Sequence, residues 1–122
     1  MTENERLIRE FIAAWSRLDA AELAGYFGED GCYHNIPFEP VRGRAKVERF
    51  IAGFIKDWTA TEWQIISLTC QDDRVAVERM DCTRLGDKGV DLPCFGLFEI
   101  SEGKIKVWRD YFDLATYTSA VA

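Results

Sequence analysis

The residue pattern predicts an α+β fold, with helices first and an antiparallel sheet after them. Two observations carry this. Apolar residues recur at helical steps of three and four as far as Trp58, and at every second position beyond it. The later apolar runs are divided only by short, turn-rich segments, Asp72-Asp73, Gly86-Asp87-Lys88-Gly89 and Glu102-Gly103. Separators of that length favour sequential hairpins. A chain of 122 residues is one domain's length, so a single domain over 1–122 is expected.

Each element has its own signal. Leu7, Ile8, Phe11, Ile12, Trp15 and Leu18 form one apolar stripe, and Thr2 followed by Glu5 is a capping-box pattern that starts the first helix. Asp19 and Glu22 repeat the pattern for a short second helix ending near Phe27-Gly28. The segment Gly31 to Pro37 is too short for a helix and reads as a strand. A third helix follows Gly43, with Val47, Phe50, Ile51, Phe54, Ile55 and Trp58 on one face. Strands are then predicted over about 61–71, 74–85, 90–101 and 104–113.

Composition narrows the function. Fifteen Lys plus Arg against 21 Asp plus Glu give a net charge of −6. A sequence-independent nucleic-acid binder needs a basic surface to displace counterions, and an anionic membrane face also selects for positive charge. Neither partner is expected. One histidine and four scattered cysteines, Cys32, Cys70, Cys82 and Cys94, have no zinc-type spacing and leave little room for a metal. The polar start, Thr2 to Arg6, has no secretory pattern behind it, and no apolar run approaches a membrane span. These features predict a cytoplasmic protein whose cysteines act as small buried hydrophobes.

Alternation places Val75, Val77, Arg79, Asp81 and Thr83 on one strand face, and Trp108, Asp110 and Phe112 on another. Each otherwise apolar face thus carries a carboxylate. Burying both without a partner is very costly, and Arg79 is the natural counter-ion. By pattern alone, a purely structural buried ion pair fits as well as a catalytic one. Tyr33 and Asn35, two apart on the early strand, add further polar equipment to the same side and favour a lined cavity. His34, Glu78 and Arg109 alternate outward. The outward set Met80, Cys82, Phe95, Leu97, Val107 and Tyr111 is apolar enough to need a second cover, which suggests a homodimer through the outer sheet face.

Three segments together resemble the limonene epoxide hydrolase family, within the SnoaL-like, nuclear-transport-factor-2-like superfamily. They are Tyr33-His34-Asn35-Ile36-Pro37 with Gly43-Arg44, Arg79-Met80-Asp81, and Gly103-Lys104-Ile105 through Trp108-Arg109-Asp110-Tyr111-Phe112-Asp113. The resemblance implies a cone-shaped α+β barrel: a curved, mostly antiparallel sheet with three N-terminal helices packed in its concave face. It also implies a dimer and a cofactor-free hydrolase acting on a small lipophilic epoxide (terpene, cyclic or steroid-like) and water. Asp110, Tyr33 and Asn35 would hold the attacking water, Asp81 would be the acid on the epoxide oxygen, and Arg79 would sit between the carboxylates. Leu92, Cys94, Phe112, Thr83, Phe50, Phe54 and Tyr117 are the expected substrate walls. Thr83 and Cys94 stand where the limonene enzyme has larger aliphatic residues. Two other readings keep the fold: a ketosteroid-isomerase- or polyketide-cyclase-like enzyme, or a non-catalytic pocket for an apolar ligand.

Overall fold

The computed structural model describes residues 1–122. Thr2 caps α1 (Glu3–Ala14), its hydroxyl accepting from the Glu5 amide at 3.1 Å. The cap satisfies one of the amide donors that a helix start leaves unpaired. A 3-10 turn at Trp15–Arg17 closes at Leu18, which takes a left-handed φ of 51°. Asp19 then caps α2 (Ala20–Ala24), accepting from the Glu22 amide at 3.1 Å. This helix stops short of Phe27-Gly28. Phe27 instead opens β1 (Phe27–Asn35), where it pairs with Ile105 and packs edge-on against Phe11 at 5.8 Å. Its burial between helix and sheet is worth more than one extra helical turn.

Gly43, at φ 94°, turns the chain from β2 (Val41–Arg42) into α3 (Arg44–Ile55). That backbone angle is strained for any side chain but glycine's. The helix ends three residues before Trp58, whose amide bonds the Ile55 carbonyl at 2.9 Å. Four long strands follow: β3 (Ala60–Gln71), β4 (Arg74–Leu85), β5 (Lys88–Ser101) and β6 (Lys104–Tyr111). They form the expected antiparallel meander. The sheet order is β2-β1-β6-β5-β4-β3. Only the β1–β6 pair is parallel, and it sets Asn35 directly beside Asp110. Register shifts at Phe27/Cys32, Ile65/Ser67 and Glu99/Ile100 bend the strands, as bulges do. The curved sheet wraps the helical stripe of Ile8, Phe11, Ile12 and Trp15. Trp15 stacks on Trp63 at 4.1 Å and Phe11 meets Trp108 edge-on at 5.2 Å.

The last strand ends at Tyr111 rather than 113, and a fourth helix, α4 (Leu114–Val121), was not foreseen. Asp113 caps it, its carboxylate accepting from the Thr116 amide at 3.1 Å and the Thr116 hydroxyl at 2.6 Å. No residue of α4 is fully buried, so no apolar stripe announces it. No helix of the chain is long and apolar enough to cross a membrane. On the outer face of the sheet Phe95 and Tyr111 are each 46 % exposed, and Ile66, at the register shift in β3, is 59 % exposed.

Candidate active site

The inward face of β4 carries Val75, Val77, Arg79, Asp81 and Thr83, all buried. Arg79 lies opposite Cys94 on β5, and Asp110 of β6 lies opposite Gly96 on the other side of the same strand. The guanidinium therefore has to cross β5 to reach Asp110. Gly96 makes that crossing possible. A Cβ there would sit 2.8 Å from Trp108 Nε1, 2.9 Å from Asp110 Oδ1 and 3.0 Å from Arg79 Nη1. Any larger residue would have to push the bridge apart.

Arg79 donates to both carboxylates in two-pronged fashion. Nη1 and Nη2 reach Asp110 Oδ1 and Oδ2 at 2.7 and 2.6 Å, while Nε and Nη2 reach Asp81 Oδ1 and Oδ2 at 2.8 and 3.0 Å. Such forked, charge-assisted bonds are the strong kind. The Arg79 side chain is 0 % exposed, and its guanidinium lies 4.4 Å over the Trp63 ring. Burial by itself would pull the Arg79 pKa down, but Asp110 and Asp81 overcome it and hold it well above normal.

One guanidinium and two ionised carboxylates leave an uncompensated negative charge, which an interior disfavours. Binding one proton makes the set neutral. Geometry selects where it goes, because Asp110 receives the two shortest bonds. Burial pushes Asp81 up to about 6, against the opposing pull of Arg79. The Cys94 thiol, 3.4 Å from Asp81 Oδ2, is raised by burial and then by the Asp81 charge, so it stays an S–H donor. Tyr33 stacks on Trp108 at 4.3 Å and 4°. Its pKa is held well above the ordinary phenol value by burial and then by the Asp110 charge, so it too keeps its proton.

Asn35 is 2 % exposed, and neither its amide oxygen nor its nitrogen makes a hydrogen bond of good geometry, the Tyr33 hydroxyl being its near polar neighbour. Asn35 lines a cavity of about 20 Å³ together with Tyr33, Asp81 and Asp110. Roughly 10–15 Å³ is enough to hold a water molecule where polar groups face the space. The cavity therefore fits one. Buried polar groups almost always find a partner, and a water here would satisfy both Asn35 and Asp110. No group of three His, Cys, Asp or Glu side chains is arranged to hold a metal ion.

The family model of the limonene-1,2-epoxide hydrolase catalytic domain matches residues 2–122. The chain belongs to this family. It is 28% identical over 107 residues to epoxide hydrolase EphG of Mycobacterium tuberculosis, covering 88% of this chain and 71% of that protein. A solved LEH-like epoxide hydrolase from M. tuberculosis superposes with a TM-score of 0.84 at 26% identity, over 98% of this chain and 90% of the other. The SnoaL-like polyketide cyclase fold of a Shewanella putrefaciens protein also superposes. Its TM-score is 0.85 at 12% identity, over 99% of this chain and 97% of that one, a likeness of fold alone.

In this limonene-epoxide-hydrolase-family chain the five expected polar residues converge, with Arg79 behind the cavity wall rather than on it. Leu92, Cys94, Phe112, Thr83, Phe54 and Tyr117 line the cavity as expected. Phe50 does not. It packs edge-on against Tyr33 at 5.5 Å and supports Phe54 from behind at 5.9 Å. One turn of α3 separates the wall position from its buttress on the same face, a distinction that an apolar stripe cannot make. Trp58, Trp63 and Val90 also line the cavity and were missed. Trp63 was the readable one, since it shares the period-two face of β3 and pairs with Asp81. His34 bonds the Phe38 carbonyl through Nε2 at 3.0 Å, outside the cavity.

The raised Asp81 pKa gives a signed stability prediction. Between about pH 4 and pH 6 the folded chain keeps a proton on Asp81 that the unfolded chain, at 3.8, has released. Native protein binds more protons there, so stability falls as pH rises through this window. Urea denaturation of wild type and Asp81→Asn at pH 4 and 6.5 should show wild type losing on the order of 2 kcal/mol more than the variant. Parallel losses would show that Asp81 does not carry this proton.

Proposed function

We propose that the protein hydrates a lipophilic epoxide in one step to a vicinal diol, without a cofactor. The observation that carries this reading is the unpartnered Asn35 amide beside Asp110 in a water-sized cavity. An isomerase or cyclase with a carboxylate base has no use for a held water, and the Arg79 bridge would be surplus to it. An epoxide needs both a nucleophile and a proton on its departing oxygen, because a free alkoxide is a poor leaving group.

The roles follow from the charge count. Asp110, charged, takes a proton from the water that Asn35 and Tyr33 orient. The water oxygen attacks an epoxide carbon as the C–O bond breaks, and Asp81 gives its proton to the leaving oxygen. One water is consumed and one diol is formed. The proton left on Asp110 has then to return to Asp81. Arg79 holds the two groups in register and touches neither water nor epoxide, so it is a positioning residue. No ester with the protein forms.

Apolar walls from Leu92, Val90, Phe54 and Phe112 suit a terpene, cyclic or steroid-like epoxide. A space of about 20 Å³ admits such a molecule only if a wall moves. The wall best placed to yield is α4, which holds Tyr117 against Trp58 through one hydrogen bond of 2.9 Å and buries no residue fully. The four free thiols suit the reducing cytoplasm expected for the chain.

Asp110→Asn should keep its near-ultraviolet circular dichroism and lose diol formation on an epoxide panel by at least about 10²-fold, the low end for loss of a general base. In single turnover with labelled water, the label should appear in the diol and not in an enzyme carboxylate. Undiminished diol formation by the variant would overturn the assignment. Turnover of an enolisable ketone in place of any epoxide would favour the isomerase alternative.

A homodimer through the outer sheet face belongs to the same proposal, because it would cover Phe95 and Tyr111. Light scattering should give twice the 14.0 kDa chain mass, and Phe95→Asp should shift it to the single-chain value. A wild-type monomer would exclude this interface.

A further inference from the structure

The cavity has a second polar point that hydration of an epoxide does not use. Thr83 of β4 faces the same space as Asp81, among Val90, Leu92, Phe112 and Tyr117. It pairs across the sheet with Thr61 of β3, and the two hydroxyl oxygens are 2.8 Å apart. Thr61 is fully engaged: its oxygen accepts from Trp63 Nε1 at 3.1 Å and lies 3.3 Å from the Cys82 carbonyl. Two proton arrangements satisfy this chain. If Thr61 donates to the Cys82 carbonyl, Thr83 donates to Thr61 and keeps its lone pairs for the cavity. If Thr61 donates to Thr83, the Thr83 O–H is free to donate into the cavity. In both, Thr83 retains unused hydrogen-bonding capacity where a valine would fill the wall at less desolvation cost.

We infer that the substrate is an epoxide bearing a hydroxyl group, and that Thr83 binds that hydroxyl. A hydroxyl is the group that fits both proton arrangements, since it donates and accepts; a carbonyl fits only one. Its position follows from the strand. Asp81 and Thr83 are two residues apart on one face, about 7 Å along β4. With the epoxide oxygen at Asp81, the hydroxyl oxygen lies roughly five covalent bonds from it. The Trp63–Thr61–Thr83 chain fixes the recognising group in advance, so little ordering is lost on binding. This inference rests on the epoxide hydrolase reading and specifies its substrate class.

The test compares 4,5-epoxypentan-1-ol with 1,2-epoxypentane, which lacks only the hydroxyl. Wild type should favour the alcohol by about tenfold in kcat/KM, the scale of one satisfied neutral hydrogen bond in a desolvated site. In Thr83→Val the ratio should fall to about one, and in Thr83→Ser it should stay near the wild-type value. Circular dichroism of each variant verifies the fold. A wild-type ratio of one or less, or a preference that survives in Thr83→Val, overturns the inference while leaving the hydrolase reading standing. If wild type forms no diol from either compound or from any of the epoxide panel, both readings fall together.

Discussion

A guanidinium and two carboxylates buried together are neutral only when one carboxylate holds a proton. Arg79 is wholly enclosed and donates to Asp81 and Asp110 at distances between 2.6 and 3.0 Å, so solvent cannot make up the missing charge. An unbalanced interior charge is costly, and burial accordingly raises Asp81 to about 6. Below about pH 6 one proton is therefore part of the array. The epoxide hydration we propose asks for one acid and one base at adjacent points, and this electrostatic constraint would supply the pair from two identical side chains.

The fold exists in the form that makes this bridge. Two strands flanking β5 bring Arg79 and Asp110 within reach only because β5 has no side chain at Gly96. The parallel β1–β6 pairing sets Asn35 beside Asp110 and Tyr33 beside Trp108. Trp63 and Trp108 cover the guanidinium, and the aromatic contacts of Trp15 and Phe11 hold those rings in place. The apolar core is thus what shields the charged set from bulk solvent, and that burial is what raises Asp81.

Much of this was legible in the sequence because strand alternation is strict. Period two put Arg79, Asp81 and Asp110 on inward faces, and the same rule separated Tyr33 and Asn35 from His34. The element boundaries and α4 were less legible. Phe27 left a helical pattern for the sheet on tertiary grounds, and α4 has no buried stripe to read. The parallel partner of β1 leaves no local mark, because its pairing residues lie more than 70 positions away. Gly96 reads as an ordinary strand glycine until the guanidinium crossing it is known. Phe50 and Phe54 are indistinguishable by pattern, yet only Phe54 reaches the cavity.

The central claim is that the array holds one proton and that Asp81 is its carrier. Carbon-detected NMR of the aspartate side-chain carboxyls, assigned with Asp-to-Asn variants, reads this group by group. At pH 5 the account predicts the acid form at Asp81, titrating near pH 6. Asp81 found ionised at pH 5 would contradict it.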